Sequence, residues 1–295
     1  MGVFTWRAIV NRCVPSAGAL TEVYEHTRVQ FTRRKECFAC VVWYGSVPAR
    51  EHSFRSDIDV YAVIASGRER AARRVLGRIR LFAAARNMTF PVHVYSEDDV
   101  ACDPRLFGPS FVAMWPTLRA QGLVLGEPER LATDRYANVQ EEMCVRIHRR
   151  QILLEQWERA LASFKRQESE KGWVEAFVRH TRRKHTRPLQ FCWNLARVLL
   201  MHRDGKLNYH SKPTVLAALY EDRRFHALLG MFSDLKLACE EYNVLYTQTR
   251  FGEVDEAEYY ARLGKILTRA VRVNRQLHER ACTLMQIDLA AAVAA

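Results

Sequence analysis

The stretch FACVVWYGSVPAREHSFRSDIDVYAVIA, residues 38–65, decides the fold of this chain. It opens with an apolar run that ends at Gly45-Ser46, and it closes with a run rich in β-branched residues that begins at Asp57-Ile58-Asp59. Such runs are typical of buried strands, and a polar loop joins them. The stretch therefore predicts two strands of one sheet, with polar side chains where each strand meets the loop.

The two aspartates of this stretch are expected to act together. Side chains at positions i and i+2 of a strand point to the same face, so Asp57 and Asp59 converge while Ile58 faces the core. Two adjacent carboxylates repel each other, and a divalent cation such as Mg²⁺ relieves that repulsion. Gly45 allows close approach of a phosphate group to the backbone, and the Ser46 hydroxyl can donate to it.

Together, Gly45-Ser46 and Asp57-Ile58-Asp59 resemble the hG[GS]…Dh[DE]h signature of the polymerase-β-type nucleotidyltransferase superfamily. The resemblance implies a magnesium site at Asp57 and Asp59, holding one ion or two, and a nucleoside triphosphate (NTP) as substrate. It also implies catalytic roles for both aspartates. Candidate nucleotide-binding residues are Gly45, Ser46, Ser56 and Lys212.

The superfamily usually supplies a third carboxylate from a later strand. In this chain that strand is PVHVYSEDD, residues 91–99, and His93 stands at the expected position. An imidazole titrates near neutral pH, so His93 could act as a general base or as a metal ligand. Glu97 or Asp98, just past the strand, are the alternative acids, and a site lacking any third group is the remaining possibility.

The first half of the chain alternates helical and strand patterns. Residues 17–35 and 67–87 predict helices, and residues 90–96 predict a third strand. This alternation favours a sheet covered by helices. Cys37 and Cys40 form a CxxC without a partner pair, so we interpret them as core residues at the entry of a strand.

The second half predicts only helices. Apolar residues at spacings of three, four and seven indicate a long amphipathic helix over residues 137–168. Further helices are expected at about residues 173–182, 188–202, 212–221, 225–247 and 256–287. We therefore predict an α+β protein of two domains: a small α/β sheet domain of the nucleotidyltransferase type over residues 1–132, followed by an all-α helical bundle over residues 133–295.

The stretch from Asn194 to Phe225 is similar to the helical domain of kanamycin-type aminoglycoside nucleotidyltransferases and to HEPN-like bundles. By that resemblance the bundle closes over the nucleotide and presents the acceptor, with Lys212 and Asn194 facing the cleft. Two Arg-x5-His matches, at Arg272 and at Arg179, fit the ribonuclease motif of HEPN proteins no better than chance.

The basic composition is compatible with phosphate-rich partners and equally with an Arg-rich surface that is simply solvated. The net charge is +12 over 295 residues, and the excess is spread over both halves. Five cations between Arg179 and Arg187 could bind RNA phosphates, or they could form a solvated helix end. No run is apolar enough to span a bilayer, and the N-terminus lacks a secretory pattern, so we expect a cytoplasmic protein without membrane contact.

These features predict a metal-dependent nucleotidyltransferase that moves a nucleoside monophosphate from an NTP to an acceptor hydroxyl. The basic surface favours RNA (such as tRNA) or a protein over an aminoglycoside as acceptor, because a polycationic antibiotic requires an acidic cleft. Relatives in the superfamily serve in toxin–antitoxin systems and defence. An aminoglycoside nucleotidyltransferase and a non-catalytic RNA- or partner-binding protein are the alternatives, and a homodimer is compatible with each.

Overall fold

The computed structural model describes residues 3–16, 18–48, 56–102, 115, 118, 123–127, 138–183, 188–189, 192–207 and 212–286. The chain separates into two compact units. One contains Val14–Asn138 together with Leu207–Ser211, and the other contains Met1–Cys13, Val139–Lys206 and Lys212–Ala295. The described part of the chain contains both α and β structure, consistent with an α+β fold: a four-stranded mixed sheet lies in the first unit, and the second is helical.

The elements follow the predicted order closely. The strands are β1 (Phe38–Tyr44), β2 (Asp59–Ile64), β3 (Val92–Ser96) and β4 (Val124–Gly126). The helices are α1 (Trp6–Val10), α2 (Ala19–Arg33), α3 (Glu69–Ala84), α4 (Glu97–Cys102), α5 (Val139–Gln167), α6 (Glu170–Arg183), α7 (Cys192–Asp204), α8 (Lys212–Glu221), α9 (His226–Arg250) and α10 (Glu256–Leu284). The first three strands and the long helices confirm the periodicity-based predictions, whereas α1, α4 and β4 were not predicted.

The sheet has the order β3-β2-β1-β4. Strand β1 pairs antiparallel with both β2 and β4, and β2 pairs parallel with β3. The parallel pair is joined through α3, which is the connection that a parallel crossover requires. Because β2 runs beside β1 in the opposite direction, the start of β2 lies next to the end of β1, where Tyr44 pairs with Asp59.

The two faces of the sheet have different coverings. One face carries Val41, Trp43, Val60 and other apolar side chains that pack with residues of α2 and α3 into the larger core. The other face carries Cys40, Val42 and Val63 in a smaller apolar cluster completed by Val100, Trp115 and Leu118. The smaller cluster covers only part of the second face, and polar and aromatic side chains occupy the rest.

The CxxC cysteines lie in these cores, as predicted. Cys37 is 3% exposed in the larger cluster, and Cys40 is 1% exposed in the smaller one on the opposite face of the sheet. Burial raises the pKa of the Cys37 thiol. Two thiols that belong to different cores cannot form a shared metal or redox site.

The helical unit is held together by long apolar stripes on α5, α6, α7, α9 and α10. Its core includes Trp157, Phe177, Leu199, Tyr242 and Leu267, each exposed by no more than 1%. Arg150, 2% exposed, is a buried cation in this unit and donates to the Asn274 side-chain oxygen at 2.8 Å. The Asn274 amide in turn donates to the carbonyl of Pro188 at 2.8 Å.

The N-terminal segment belongs to the helical unit, whereas our predicted division placed residues 1–132 in the sheet domain. The backbone of Phe4 is bound by two tyrosines: its N–H donates to the Tyr242 hydroxyl at 2.8 Å, and its carbonyl accepts from the Tyr259 hydroxyl at 2.6 Å. Contacts between residues this far apart in sequence leave no local pattern, so sequence periodicity cannot reveal them.

A search of the described residues for membrane-crossing helices found none with the required combination of length and apolar character.

Candidate active site

The turn after β1 brings a backbone glycine against one of the two aspartates. Gly45 has φ +82°, a left-handed conformation that side chains disfavour. A Cβ atom built on Gly45 would lie 2.7 Å from the Asp59 Oδ2 atom. The backbone conformation at position 45 therefore favours glycine, and any side chain there would also have to displace the Asp59 carboxylate.

The approach to β2 places both aspartates on one side. Burial alternates from Ser56 to Val60: Ser56, Ile58 and Val60 are buried, while Asp57 and Asp59 are half-buried. Ile58 and Val60 belong to the core beneath α2 and α3, so the aspartates face the opposite side of the sheet. The alternation predicted from the sequence is confirmed here.

Ser56, which we predicted as a nucleotide-binding residue, precedes β2 and is 8% exposed. Asp57 and Asp59 are half-buried, so Ser56 is less accessible to a ligand than either aspartate. Ser46, by contrast, is half-buried and directly follows Gly45 in the turn.

Two tyrosines on the same face surround the Asp59 carboxylate. The rings of Tyr44 and Tyr61 stack with centroids 4.7 Å apart. Burial, then the negative charge of Asp59 and contacts with Tyr61, raise the pKa of Tyr44 far above its usual range. Burial, followed by Tyr95, raises the pKa of Tyr61 to about 12, and Asp59 contributes to the same shift. Both phenols are therefore neutral hydrogen-bonding groups at physiological pH.

The aromatic row continues onto β3. Tyr61 pairs with His93 across the parallel strands, and their rings lie 5.0 Å apart with planes at 26°. The ring of Tyr95 lies 6.1 Å from that of Tyr61. We did not predict Tyr44, Tyr61 or Tyr95 as site residues. The signal was available, because Tyr61 is two residues after Asp59 and must share its face.

His93 is close to the aspartates but is not directly opposite Asp59. The register pairs Val60 with Val92 and Tyr61 with His93. His93 is therefore on the neighbouring strand, opposite the residue that comes two positions after Asp59. Strand spacing and rise give about 8 Å between their Cα atoms. His93 is exposed on the face shared with Asp59 and Tyr61, and its ring is therefore accessible to a bound substrate.

Glu97 and Asp98 lie at the opposite end of the sheet. The Glu97 carboxylate accepts from the Ser66 backbone N–H at 3.1 Å, and the Asp98 carboxylate accepts from the Ser66 hydroxyl at 3.2 Å. Ser66 lies two residues past the end of β2, whereas Asp59 is the first residue of that strand, and β2 alone extends about 17 Å. These two acids, which we considered as alternatives to His93, cannot reach Asp59.

The donor set fits a magnesium ion. Mg²⁺ is usually held by one or two carboxylates, with waters and substrate phosphates completing its shell. Asp57 and Asp59 supply two carboxylates on one face, and Gly45, which has no side chain, lies against the Asp59 carboxylate. Among the described residues, no cluster of three or more His, Cys, Asp or Glu side chains suited to metal binding was found.

No known protein family matches this chain, and no curated protein does either. The functional interpretation therefore depends on the geometry of the chain itself.

The structure describes some of the residues that we predicted in the helical half. Lys212 is the first residue of α8, and Asn194 is exposed on α7. Of the Arg-x5-His matches, Arg272 is exposed whereas His278 is 0% exposed, so the pair does not form a surface ribonuclease site. His185 of the second match lies outside the described residues.

The basic cluster that begins at Arg179 falls largely outside the part of the chain that can be assessed. Arg179 itself is exposed on α6 and forms an ion pair with Glu175 at 3.3 Å. Lys184 and Arg187 lie outside the described residues, and Arg182 and Arg183 belong to the last turn of α6. The cluster remains a prediction.

Proposed function

We propose that this chain is a metal-dependent nucleotidyltransferase that transfers a nucleoside monophosphate from an NTP to an acceptor hydroxyl. The observation that carries the proposal is the contact between the left-handed Gly45 and the Asp59 carboxylate, with Asp57 on the same face. A side chain at position 45 would displace the Asp59 carboxylate, whereas a glycine there lets the backbone approach a phosphate chain.

The sheet supports the same proposal. One face is filled by α2 and α3, while the aspartates lie on the other face beside neutral tyrosines and an exposed histidine. A rival interpretation, in which Asp57 and Asp59 are ordinary solvated residues at a strand start, requires neither a glycine at position 45 nor a row of polar aromatic residues. The resemblance of the motif to the polymerase-β-type superfamily points in the same direction.

Each residue has a role in this proposal. Asp57 and Asp59 would hold Mg²⁺, which when bound neutralises the charge of the phosphate oxygens. The backbone at Gly45 and the hydroxyl of Ser46 donate to the triphosphate. His93 accepts the proton of the acceptor hydroxyl as its oxygen bonds to the α-phosphorus. The bond from that phosphorus to the bridging oxygen breaks, and pyrophosphate leaves.

The acceptor class follows from charge. With a net charge of +12 the protein attracts polyanions and repels polycations such as aminoglycosides. We therefore propose RNA or an acidic protein surface as the acceptor.

A single assay of pyrophosphate release tests the proposal and also identifies the class of acceptor. The protein is incubated with each NTP and Mg²⁺, with total tRNA, a protein extract or an aminoglycoside as acceptor. The proposal predicts release with one acceptor class and its loss in Asp57→Asn/Asp59→Asn. Failure of every NTP, acceptor and divalent metal to give release would favour a protein that binds without turnover.

A further inference from the structure

A second pocket, distant in the sequence from the aspartates, lies wholly within the helical unit. It has a volume of about 340 Å³ and is formed where the end of α5 and the start of α6 meet the middle of α10. Its wall carries four cations: Lys165, Lys265, Arg269 and Arg272. Glu170 is the single carboxylate among the lining residues.

The cations lie in a row. Lys265, Arg269 and Arg272 are separated by four and three residues on α10, so they share one face of the helix. The row extends about 10 Å along the helix axis. Lys165 reaches the same place from α5, because its ammonium donates to the Thr268 hydroxyl at 2.9 Å. A ligand in this pocket would therefore meet positive charge at several points.

Three of these cations form no ion pair with any described residue. Arg269 is bound to Glu241 at 2.7 Å, but no ion pair within the described ranges involves Lys165, Lys265 or Arg272. Elsewhere on the same helices such pairs are frequent, as for Arg262 with Glu258 at 3.1 Å. Adjacent unpaired cations repel one another, and a bound anion would relieve that repulsion.

The floor of the pocket is closely packed. Trp173 is 6% exposed and packs so closely on α10 that a Cβ atom at Gly264 would lie 2.8 Å from its ring. The Lys165 ammonium lies 4.7 Å from the centre of the same ring, which fixes the cation over the pocket. Because the Trp173 ring is almost fully covered, it offers little surface for stacking on a base.

We propose that this pocket binds phosphate groups, either those of a nucleoside polyphosphate or those of an RNA backbone. Arg and Lys bind phosphate oxygens by charge-assisted hydrogen bonds, and a row of such groups matches a ligand with several phosphates. With its aromatic floor covered, the pocket recognises phosphate rather than base. This inference does not depend on the proposed transfer reaction, because no metal and neither aspartate takes part.

Binding measured in EDTA tests the inference. The probes are tripolyphosphate, ATP and a labelled single-stranded RNA of about ten nucleotides, with polyglutamate as a non-phosphate polyanion. Lys265→Ala/Arg272→Ala is expected to weaken phosphate binding at least tenfold and to reduce the slope of log K against log salt. The matched control is Arg166→Ala/Arg280→Ala, which removes the same charge from exposed positions outside the pocket and is expected to change affinity less than twofold.

The outcomes distinguish a free nucleotide from an RNA strand, and specific binding from diffuse electrostatic attraction. Tight binding of tripolyphosphate and ATP identifies a free nucleotide, whereas binding of RNA alone identifies a strand backbone. Equal losses in both double variants, or equal affinity for polyglutamate, would overturn the inference in favour of diffuse electrostatic attraction. Unchanged affinity in Asp57→Asn/Asp59→Asn is expected, so failure of the transfer reaction and failure of this pocket are distinguishable.

Discussion

Gly45 and Gly67 share a left-handed backbone, with φ of +82° and +75°, but their surroundings differ. A Cβ atom added at Gly67 would meet nothing within 4 Å, whereas one added at Gly45 would lie 2.7 Å from the Asp59 carboxylate. The two positions therefore separate the cost of backbone strain from the cost of displacing a candidate metal ligand.

Alanine substitutions at these glycines give the first prediction. Gly45→Ala and Gly67→Ala should each lower the free energy of unfolding by about 1–2 kcal/mol, because both force a side chain into the left-handed region. Only Gly45→Ala should abolish nucleotidyl transfer, because only there is a carboxylate displaced. Denaturant unfolding and pyrophosphate release check the two effects. Full activity in Gly45→Ala would contradict the role assigned to this contact.

The second prediction for single residues concerns substitutions at His93. His93→Ala should lower turnover at least about tenfold without unfolding the protein, because a general base is lost. His93→Phe keeps a ring beside Tyr61 but takes no proton, so it should be equally impaired if His93 acts as the base. Steady-state kinetics and thermal unfolding provide the readouts. Normal turnover in His93→Phe would reduce His93 to a packing role.

At the level of elements, the sequence pattern predicts which segments are strands and helices, whereas strand pairing determines which residues lie close together. The strands β1, β2 and β3 and the long helices follow from runs and periodicity in the sequence. The convergence of Asp57 and Asp59 follows from alternation alone. The position of Glu97 does not, because it depends on β3 lying parallel to β2, and that arrangement places it beside Ser66 at the far end of the sheet.

Other features were beyond sequence reasoning for similar reasons. Strand β4 has three residues, too few for a recognisable alternation, and its place beside β1 is set by long-range pairing. The packing of α1 in the helical unit depends on the Phe4 contacts with Tyr242 and Tyr259, more than 200 residues away.

The packing of α6 on α10 gives a prediction about two helical glycines. A glycine-to-alanine change inside a helix normally gains up to about 1 kcal/mol. Gly230→Ala on α9 should show this gain, because its Cβ would meet nothing within 4 Å. Gly264→Ala should instead destabilise the protein by roughly 1 kcal/mol, because overpacking against the buried Trp173 outweighs the propensity gain. Chemical denaturation should show shifts of opposite sign, and a gain from Gly264→Ala would mean that Trp173 moves freely.

At the level of the whole molecule, a buried histidine links stability to pH. His278 is 0% exposed, and burial, followed by the charges of Arg150 and Arg275, lowers its pKa to about 3. In the unfolded chain its pKa is near 6.5. Below pH 6.5 the unfolded state takes up a proton that the folded state does not, so stability is fully present above this pH and is lost as the pH falls toward 3.

The size of this effect is measurable in mild acid. At pH 5.5 the His278 contribution should cost about 1.4 kcal/mol relative to neutral pH. His278→Gln should therefore lose less stability between pH 7.5 and 5.5 than the parent protein, while the exposed His202→Gln serves as the control. Denaturant unfolding at both pH values provides the measurement. Identical pH dependence in the parent and His278→Gln would show that the buried histidine is protonated in the folded state.

The central claim is that the Gly45, Asp57 and Asp59 site transfers a nucleoside monophosphate. Parallel reactions with NTP labelled in the α- or the γ-phosphate, with the acceptor found by pyrophosphate release, test it most directly. We expect the α-label to pass to the acceptor, the γ-label to leave in pyrophosphate, and Asp59→Asn to stop both. Transfer of the γ-label to the acceptor, or α-label transfer that persists in Asp59→Asn, would contradict it.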